Sequence, residues 1–349
     1  MIFLLILFCP LNKPMLASIL KGLTLFIISL ILCFFLGELA VRVFWKELPY
    51  EFDAEIGWKL KPNFSAPRKV VDQSGLVTQV NCSTNEFGFR AWGDLESSRK
   101  RILFVGDSYT GDCNTSNDDA YFGIVKKRVD AEVFAVGGGG YGTLQELLLL
   151  ERYVDIIQPD IFVLQYCPND IYNNSFHLEE NSIIRNQKNL RPYLVNGIVT
   201  YRLPKNHPYI LIYKNSKLFR FLDILLQIIQ YRIYKDYWPQ FSAENEKILE
   251  KEGAIILTEQ LMSDLKNLMP PHTKALTFTS GTEDKDETEI WASISSSAGY
   301  DVYPSVSLKI EKAEKDGEIV RIHDGGHWNR LGNEIAGEEL ANILNIYLN

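Results

Sequence analysis

The chain is poor in the residues that announce several common chemistries. Its 349 residues include five cysteines, five histidines and four methionines. No C-x-x-C pair and no Cys/His cluster occurs, so the ligand spacing of a zinc site is missing and no metal ligands are assigned. An excess of basic charge is lacking too. Lys and Arg number 36 against 44 Asp and Glu, for a net charge of −8 and a pI of about 5.3. That balance argues against nucleic acid as a partner. Internal repeats and low-complexity tracts are absent, which argues against a solenoid or a disordered chain. What remains is a globular composition, 46% hydrophobic and 23% charged, in a length that suits one large domain with additions or two modest ones.

One stretch lacks charge altogether. Gly22 to Gly37, "GLTLFIISLILCFFLG", lies between Lys21 and Glu38. Extended through "ELAVRVFW" to Trp45, it reaches about twenty residues or more, long enough to cross a hydrocarbon core as a helix. A buried core helix and a cleaved signal peptide are the competing readings. No A-x-A-like site follows the run, and helix-compatible residues continue to Trp45, which favours a retained anchor over residues 22–45. Cys33 follows Leu30-Ile31-Leu32 and lacks the small residue expected before a lipidated cysteine. Lys13, Lys21 and the amino terminus place the start of the chain in the cytoplasm and the body outside it, in the periplasm or at the cell surface. Arg42 and Lys46 pull the other way. A second apolar stretch, Ile2 to Leu11, is interrupted by Pro10 and is too short to span. Met15 is an alternative start that would set residues 1–14 aside. Of Cys82, Cys113 and Cys167 in an exported body, at least one stays unpaired.

Residues 46–98 form a lead-in. "KVVDQSGLVTQV" reads as two strands around a Ser-Gly turn, followed by a second turn at "NEFGFR". From Lys100 the pattern changes. "RILFVGDS", "VFAVGGGG" and "IFVLQYCPND" are short apolar runs that each end in a turn. Between the second and third lies the helical pattern "TLQELLLLERYVDIIQPD", stopping before Pro159. Strands buried on both faces, alternating with helices, indicate βαβ units and a parallel sheet. The alternation breaks at about 172–240. There "RPYLVNGIVTYRLP" predicts a hairpin turned at Asn196-Gly197. "YILIYKNSKLFRFLDILLQIIQYRIYKDYW" predicts one long amphipathic helix. Together they read as a cap inserted over the sheet's carboxyl edge. The pattern resumes with helix "TEQLMSDLKNLM", strand "KALTFTS", helix "ETEIWASISSSAG", strand "YDVYP" and a closing helix after "HDGGHWNR". The expected domains are thus segment 1–21, anchor 22–45, lead-in 46–98 and an α/β domain over 99–349.

Ligands bind open α/β sheets at the carboxyl ends of the strands. Three loops there carry Gly106-Asp107-Ser108, "GGGGYG" and Asn169-Asp170. A fourth element, Asp324-Gly-Gly-His327, precedes the last helix. A serine hydroxyl becomes a useful nucleophile only when a base takes its proton. Ser108 is the candidate nucleophile, His327 the candidate base, and Asp324 the group that holds the imidazole in one tautomer. The Ser108 backbone N–H, a glycine N–H of the second loop and the Asn169 side-chain amide are candidate donors to a developing oxyanion. Trp328 and Asn329 are read as packing and capping the last helix. His177, His207, His272 and His323 receive no role.

In that order, Gly106-Asp107-Ser108, a loop glycine, Asn169-Asp170 and Asp324-x-x-His327 resemble the SGNH (GDSL-type) hydrolase superfamily over residues 100–349. "YEFDAEIGWKLKPN", "NEFGFR", the cap and the apolar segment further resemble its membrane-anchored bacterial members, some related to polysaccharide O-acetyltransferases. The resemblance implies a flavodoxin-like three-layer fold with five parallel strands, no cofactor, and ester cleavage or acyl transfer on an acylated small molecule or glycan. It implies Ser108, His327 and Asp324 as the triad, with Ser108, Gly140 and Asn169 as the oxyanion hole. Two positions depart from the family pattern: Ala135 stands for an asparagine and Cys167 for a glycine. Counting five residues from Ala135 gives Gly140 as the loop glycine.

Two other readings compete. Gly137, Gly139 and Gly142 satisfy G-x-G-x-x-G, the pattern of a dinucleotide-binding oxidoreductase. That chemistry wants the glycine turn after the first strand and an acidic residue closing the next. Here the turn follows the second strand, and the third ends in Cys-Pro-Asn-Asp. A non-catalytic binding domain on the same fold is the third reading.

Overall fold

The computed structural model describes residues 13–45, 49–180, 187, 189–234, 244–281 and 285–348. The apolar stretch Ile2–Leu11, Lys46 and the insertion's helical pattern beyond Tyr234 lie outside them. The chain divides into two compact units.

The smaller unit holds α1 (Lys13–Phe44) with residues Asn206–Ile229. Over Ala17–Phe44, α1 is long and apolar enough to cross a membrane, and none of that window is buried. The single long helix expected after the hairpin is two, α8 (Pro208–Asn215) and α9 (Lys217–Tyr234). They break at Ser216, whose backbone is extended. Its hydroxyl donates to the Glu38 carboxylate at 2.8 Å. The same carboxylate accepts the N–H groups of Lys217 and Leu218 at 3.0 and 2.9 Å, so a side chain of α1 satisfies the orphan donors that open α9. The insertion at 172–240 is thereby divided between the two units.

The larger unit opens with two antiparallel hairpins. β1 (Tyr50–Asp53) pairs with β2 (Gly57–Leu60), and β3 (Ser65–Val71) pairs with β4 (Val77–Ser83). Next comes the central sheet: β5 (Arg101–Gly106), β6 (Glu132–Gly137), β7 (Ile161–Tyr166), β10 (Lys274–Thr279) and β11 (Asp301–Val302). All are parallel, in the order β6-β5-β7-β10-β11. Counted along the sheet, that is 2-1-3-4-5, the flavodoxin-like winding with its switch point between β5 and β7. Every residue of β6 and β7 is buried, because helices cover both faces.

Ile102, Phe104, Val133, Ala135, Ile161, Val163, Leu276 and Phe278 point to one face. There they meet α3 (Tyr121–Arg128), α12 (Ser305–Lys315) and α13 (Arg330–Leu348). Side chains alternate along a strand, so Phe162 and Tyr166 point the other way, where they meet Tyr300 and Trp291. That second layer contains α4 (Thr143–Leu150), α10 (Glu244–Leu268) and α11 (Lys285–Ser297). The result is the expected three-layer α/β sandwich.

Several helices differ from expectation: α3 has no counterpart in the sequence analysis, and α10 begins at Glu244, ahead of the expected pattern. "TLQELLLLERYVDII" splits into α4 and α5 (Val154–Ile157), and α12 has no counterpart in the sequence reading. The second hairpin forms as expected, β8 (Pro192–Val195) with β9 (Ile198–Tyr201). Asn196 and Gly197 both take positive φ, +51° and +75°, the turn that matches strand twist.

Candidate active site

β5 delivers Asp107 and Ser108 at the sheet's carboxyl edge, where the strand gives way to a single helical turn, α2 (Ser108–Gly111). Asp107 caps that turn by accepting the Tyr109 N–H at 3.1 Å. The close approach of α2 to β6 depends on Gly111: a Cβ there would stand 2.5 Å from the carbonyl carbon and oxygen of Gly137. Arg90, 4% exposed, stitches the following loop. Its guanidinium donates to the carbonyls of Thr110, Asp112 and Thr115 at 3.2, 2.8 and 2.7 Å. Burial lowers its pKa to about 10, which leaves it charged at neutral pH.

Residues 219 positions apart in the chain now meet: His327 Nε2 lies 2.7 Å from Ser108 Oγ. His327 Nδ1 lies 2.6 Å from Asp324 Oδ2. Asp324 Oδ1 accepts the N–H groups of Gly326 and His327 at 2.9 and 3.0 Å, which fixes the carboxylate by the turn it sits in. Burial works against charge on the His327 ring. The hydrogen bond to Asp324 and the carboxylates of Asp112, Asp324 and Asp107 outweigh it, so the ring titrates above an ordinary histidine. Burial likewise opposes the Asp324 charge, but the His327 hydrogen bond and the backbone donors hold this carboxyl below the usual range.

The loop of Asp324 and His327 is tied to β3 through the turn that follows it. His323 N–H donates to Val71 O at 2.8 Å and Gln73 N–H to Arg321 O at 3.3 Å. Tyr109 adds a side-chain tie: its hydroxyl donates to Gly326 O at 2.7 Å while its ring lies 5.1 Å from the His327 ring. The β3–β4 hairpin is itself bound to the nucleophile's side of the site. Of the pairings open to the three body cysteines, Cys82 joins Cys113, leaving Cys167 free. Asn81 N–H donates to Ser116 Oγ at 3.0 Å, so the hairpin reaches both loops.

Among the donors expected to serve an oxyanion, the glycine loop is sorted by its hydrogen bonds. Gly139 N–H is occupied by the Tyr50 hydroxyl at 2.7 Å, and Tyr50 in turn donates to Asp112. Gly142 N–H is taken by Gln145 Oε1 at 3.3 Å. Gly140, at φ +68°, has no partner for its N–H among the described residues. The carbonyl of the same peptide unit, Gly139 O, accepts from Trp58 Nε1 at 3.0 Å, which orients the Gly140 N–H. Asn169 opens α6 (Asn169–Asn174), and its side-chain amide also has no partner among the described residues. Asp170 holds that turn by accepting Cys167 N–H at 3.2 Å. Burial pushes the carboxyls of Asp170 and Glu146 well above their ordinary range.

Trp328 is buried against Tyr109 and Phe278, and Asn329 Oδ1 caps α13 by accepting Gly332 N–H at 3.0 Å, as the sequence reading assigned them. Sequence reasoning missed Tyr50, Arg90 and Tyr109, and left the partner of Cys113 open between Cys82 and Cys167. Tyr50 and Arg90 lie inside stretches that stood out, "YEFDAEIGWKLKPN" and "NEFGFR". Their targets lie 20 or more residues along the chain, which no local pattern encodes.

No family model matches the chain, and no curated protein does. Among solved structures, the chain is similar to a lipase/acylhydrolase from Enterococcus faecalis at 12% identity, covering 71% of this chain and 96% of that one, TM-score 0.40. It is also similar to the acetyl xylan esterase AlAXEase at 13% identity, covering 70% and 98%, TM-score 0.37. A third is a carbohydrate esterase family 2 enzyme with a carbohydrate-binding domain from Corynascus thermopiles (Myceliophthora fergusii), at 10% identity, covering 83% and 90%, TM-score 0.41. At such values these similarities describe shape, and the chemistry is read from the site's own atoms.

Proposed function

We propose that the protein is a serine esterase that cleaves acyl esters through Ser108, His327 and Asp324. The observation that carries this reading is the unbroken chain from Ser108 Oγ to His327 Nε2 at 2.7 Å and from His327 Nδ1 to Asp324 Oδ2 at 2.6 Å. Ser108 Oγ attacks the ester carbonyl carbon while His327 Nε2 takes the hydroxyl proton. The carbonyl oxygen gains the negative charge and is received by the N–H groups of Ser108 and Gly140 and the Asn169 amide. As the C–O bond to the alcohol breaks, His327 returns its proton to that oxygen. A water, deprotonated by the same ring, then releases the acid and restores Ser108. Asp324 keeps Nδ1 protonated throughout and stabilises the imidazolium.

In this reading α1 is a membrane span that tethers the body outside the cytoplasm, where an acylated glycan is the favoured substrate. The Cys82–Cys113 disulfide supports that side of the membrane, since such bonds persist in oxidising compartments. If a carbohydrate hydroxyl replaces the water in the second half-reaction, the same site performs O-acyl transfer.

The test uses the full chain in detergent with a small aryl acetate. Turnover that disappears in Ser108→Ala, with covalent labelling by a serine-directed phosphonate, is the expected result. Absence of both turnover and labelling in the parent protein would sink the proposal and leave a binding domain. Formation of acylated sugar when an acceptor is added separates transfer from hydrolysis.

A further inference from the structure

In a water-soluble helical hairpin the apolar side chains face inward. The α8–α9 pair buries Ile210 and Tyr213, but it also buries polar side chains and leaves a stripe of apolar ones outside. On α9, Ser216, Arg220, Asp223 and Gln227 recur at helical spacing along one stripe, and Ser216 and Asp223 are buried. Asp223 Oδ2 accepts from the Tyr209 hydroxyl of α8 at 3.2 Å and from Gln227 Nε2 at 2.8 Å. Tyr209 also packs on Tyr213 and Phe219. Asp223 is therefore satisfied inside the pair, and Ser216 by Glu38 of α1. A second stripe of α9, Leu222, Leu225, Leu226 and Ile229, is 40–50% exposed. On α8, Leu211 and Ile212 are exposed as well. A contiguous apolar surface of this kind costs free energy in water and marks a binding face.

The same compact unit identifies what covers that face. Glu38 of α1 takes three donors from the start of α9, the Arg42 guanidinium donates to Asn215 O at 3.3 Å, and Trp45 packs edge-on against Phe221 at 5.5 Å. A cap, a side-chain bridge and a ring contact bind α9 to the last two turns of α1. The apolar window of α1 covers 28 residues, about 42 Å of helix against a hydrocarbon core of about 30 Å. The uncharged run from Gly22 to Gly37 centres in the core, which brings Glu38 to its boundary. An apolar stripe that starts at that boundary is continuous with the surface α1 presents to lipid. Helices with one polar and one apolar face lie at this depth, apolar side down.

We propose that α8–α9 is an interfacial element that lies in the membrane surface with Leu211, Ile212, Leu222, Leu225, Leu226 and Ile229 against the acyl chains. Glu38, partly buried under the α9 start, is the joint that fixes it to the span. This inference rests on reading α1 as a membrane span, and the test keeps the two apart.

The full chain is reconstituted into vesicles of phosphatidylethanolamine and phosphatidylglycerol, carrying the photo-crosslinker p-benzoylphenylalanine at one position at a time. The positions are Leu226 on α9, Leu30 within α1 and Val77 on the exposed face of β4. Lipid adducts at Leu226 comparable in yield to those at Leu30, and well above Val77, are expected. Adducts at Leu30 with only the Val77 background at Leu226 would overturn the proposal while leaving the anchor intact. Crosslinks from Leu226 to a second copy of the chain would overturn it in favour of a dimer contact. Adducts at Leu226 without any at Leu30 would remove the spanning reading of α1 and leave the interfacial contact standing. A Glu38→Gln variant provides the second readout: it keeps the shape but weakens the cap, and the Leu226 adduct yield is expected to fall while the Leu30 yield holds. An unchanged Leu226 yield would overturn the joint.

Discussion

The two halves of the proposed catalytic constellation are held by different physics. The nucleophile's turn is inside the protein: Asp107 is 1% exposed, Thr110 is fully buried, and the guanidinium of Arg90 ties three carbonyls of the loop together. The acid–base loop is outside it, with residues 323–326 exposed. Side-chain burial cannot hold such a loop, so backbone pairing with the end of β3 and a tyrosine hydroxyl do so instead. Burial makes a position part of the folding unit, whereas surface straps set geometry at little cost to stability. Damage to the first half is therefore expected to register as unfolding, and damage to the second as lost rate.

Asp324→Asn tests the exposed half with the largest effect. The amide keeps the shape but no longer enforces the tautomer, and kcat/KM is expected to fall by about 10³–10⁴. The melting temperature should barely move. The pH profile carries the sign. His327 acts as a base only when neutral, so activity falls as pH drops through its pKa, which in the parent lies above the usual value. Asp324 is among the groups that raise it, so the acidic limb of the variant should move to lower pH. A limb that stays in place would show that Asp324 is not the orienting group. Next in size, Arg90→Leu removes a buried cation from several acceptors at once. The expected loss of stability is about 4 kcal/mol, measured by denaturant unfolding, because the freed carbonyls stay buried without donors. A loss below about 1 kcal/mol would break the contrast between the halves.

The sheet and the order of the chemical motifs were legible because both are local. A short apolar run ending in a turn reads as a buried parallel strand by pattern alone, and β5, β6 and β7 each contain one. The Asp324–His327 spacing was legible for the same reason, since one turn supplies both groups. Long-range ties left no mark of that kind. Nothing in "NEFGFR" says that Arg90 reaches past Thr110 to Thr115. Cys113 offered two partners, and the choice was made by β4 pairing with β3 and lying beside the 113–117 loop. The break of the long amphipathic pattern at Ser216 was illegible because its cause, the Glu38 carboxylate, is 178 residues away. Gly140 could be counted from Ala135, whereas the Tyr50 hydroxyl that occupies the neighbouring Gly139 N–H could not be foreseen.

The disulfide links the two halves and makes a test of intermediate size. Cys82→Ser with Cys113→Ser frees a loop closed across 31 residues, worth about 3.7 kcal/mol in the denatured chain. Because the hairpin also carries the Val71 and Gln73 ties to the acid–base loop, kcat should fall along with stability. A pair of serines that costs stability but leaves kcat unchanged would show that the hairpin staples the fold without aligning the site.

The smallest effect separates a strap from a support. Tyr109→Phe keeps the ring against His327 and deletes only the hydroxyl that donates to Gly326 O. The carbonyl is not left without a donor, because Arg321 Nη1 reaches the same oxygen at 2.5 Å. With one of two donors lost at an exposed acceptor, the stability cost is expected at the low end for a hydrogen bond, about 0.5 kcal/mol. The rate should respond more than that figure implies if the hydroxyl aligns the loop, since a small displacement of His327 from Ser108 lowers kcat without unfolding anything. A several-fold drop in kcat at constant KM would identify Tyr109 as a positioning residue. A variant with parental kcat would assign the alignment to the β3 backbone ties alone.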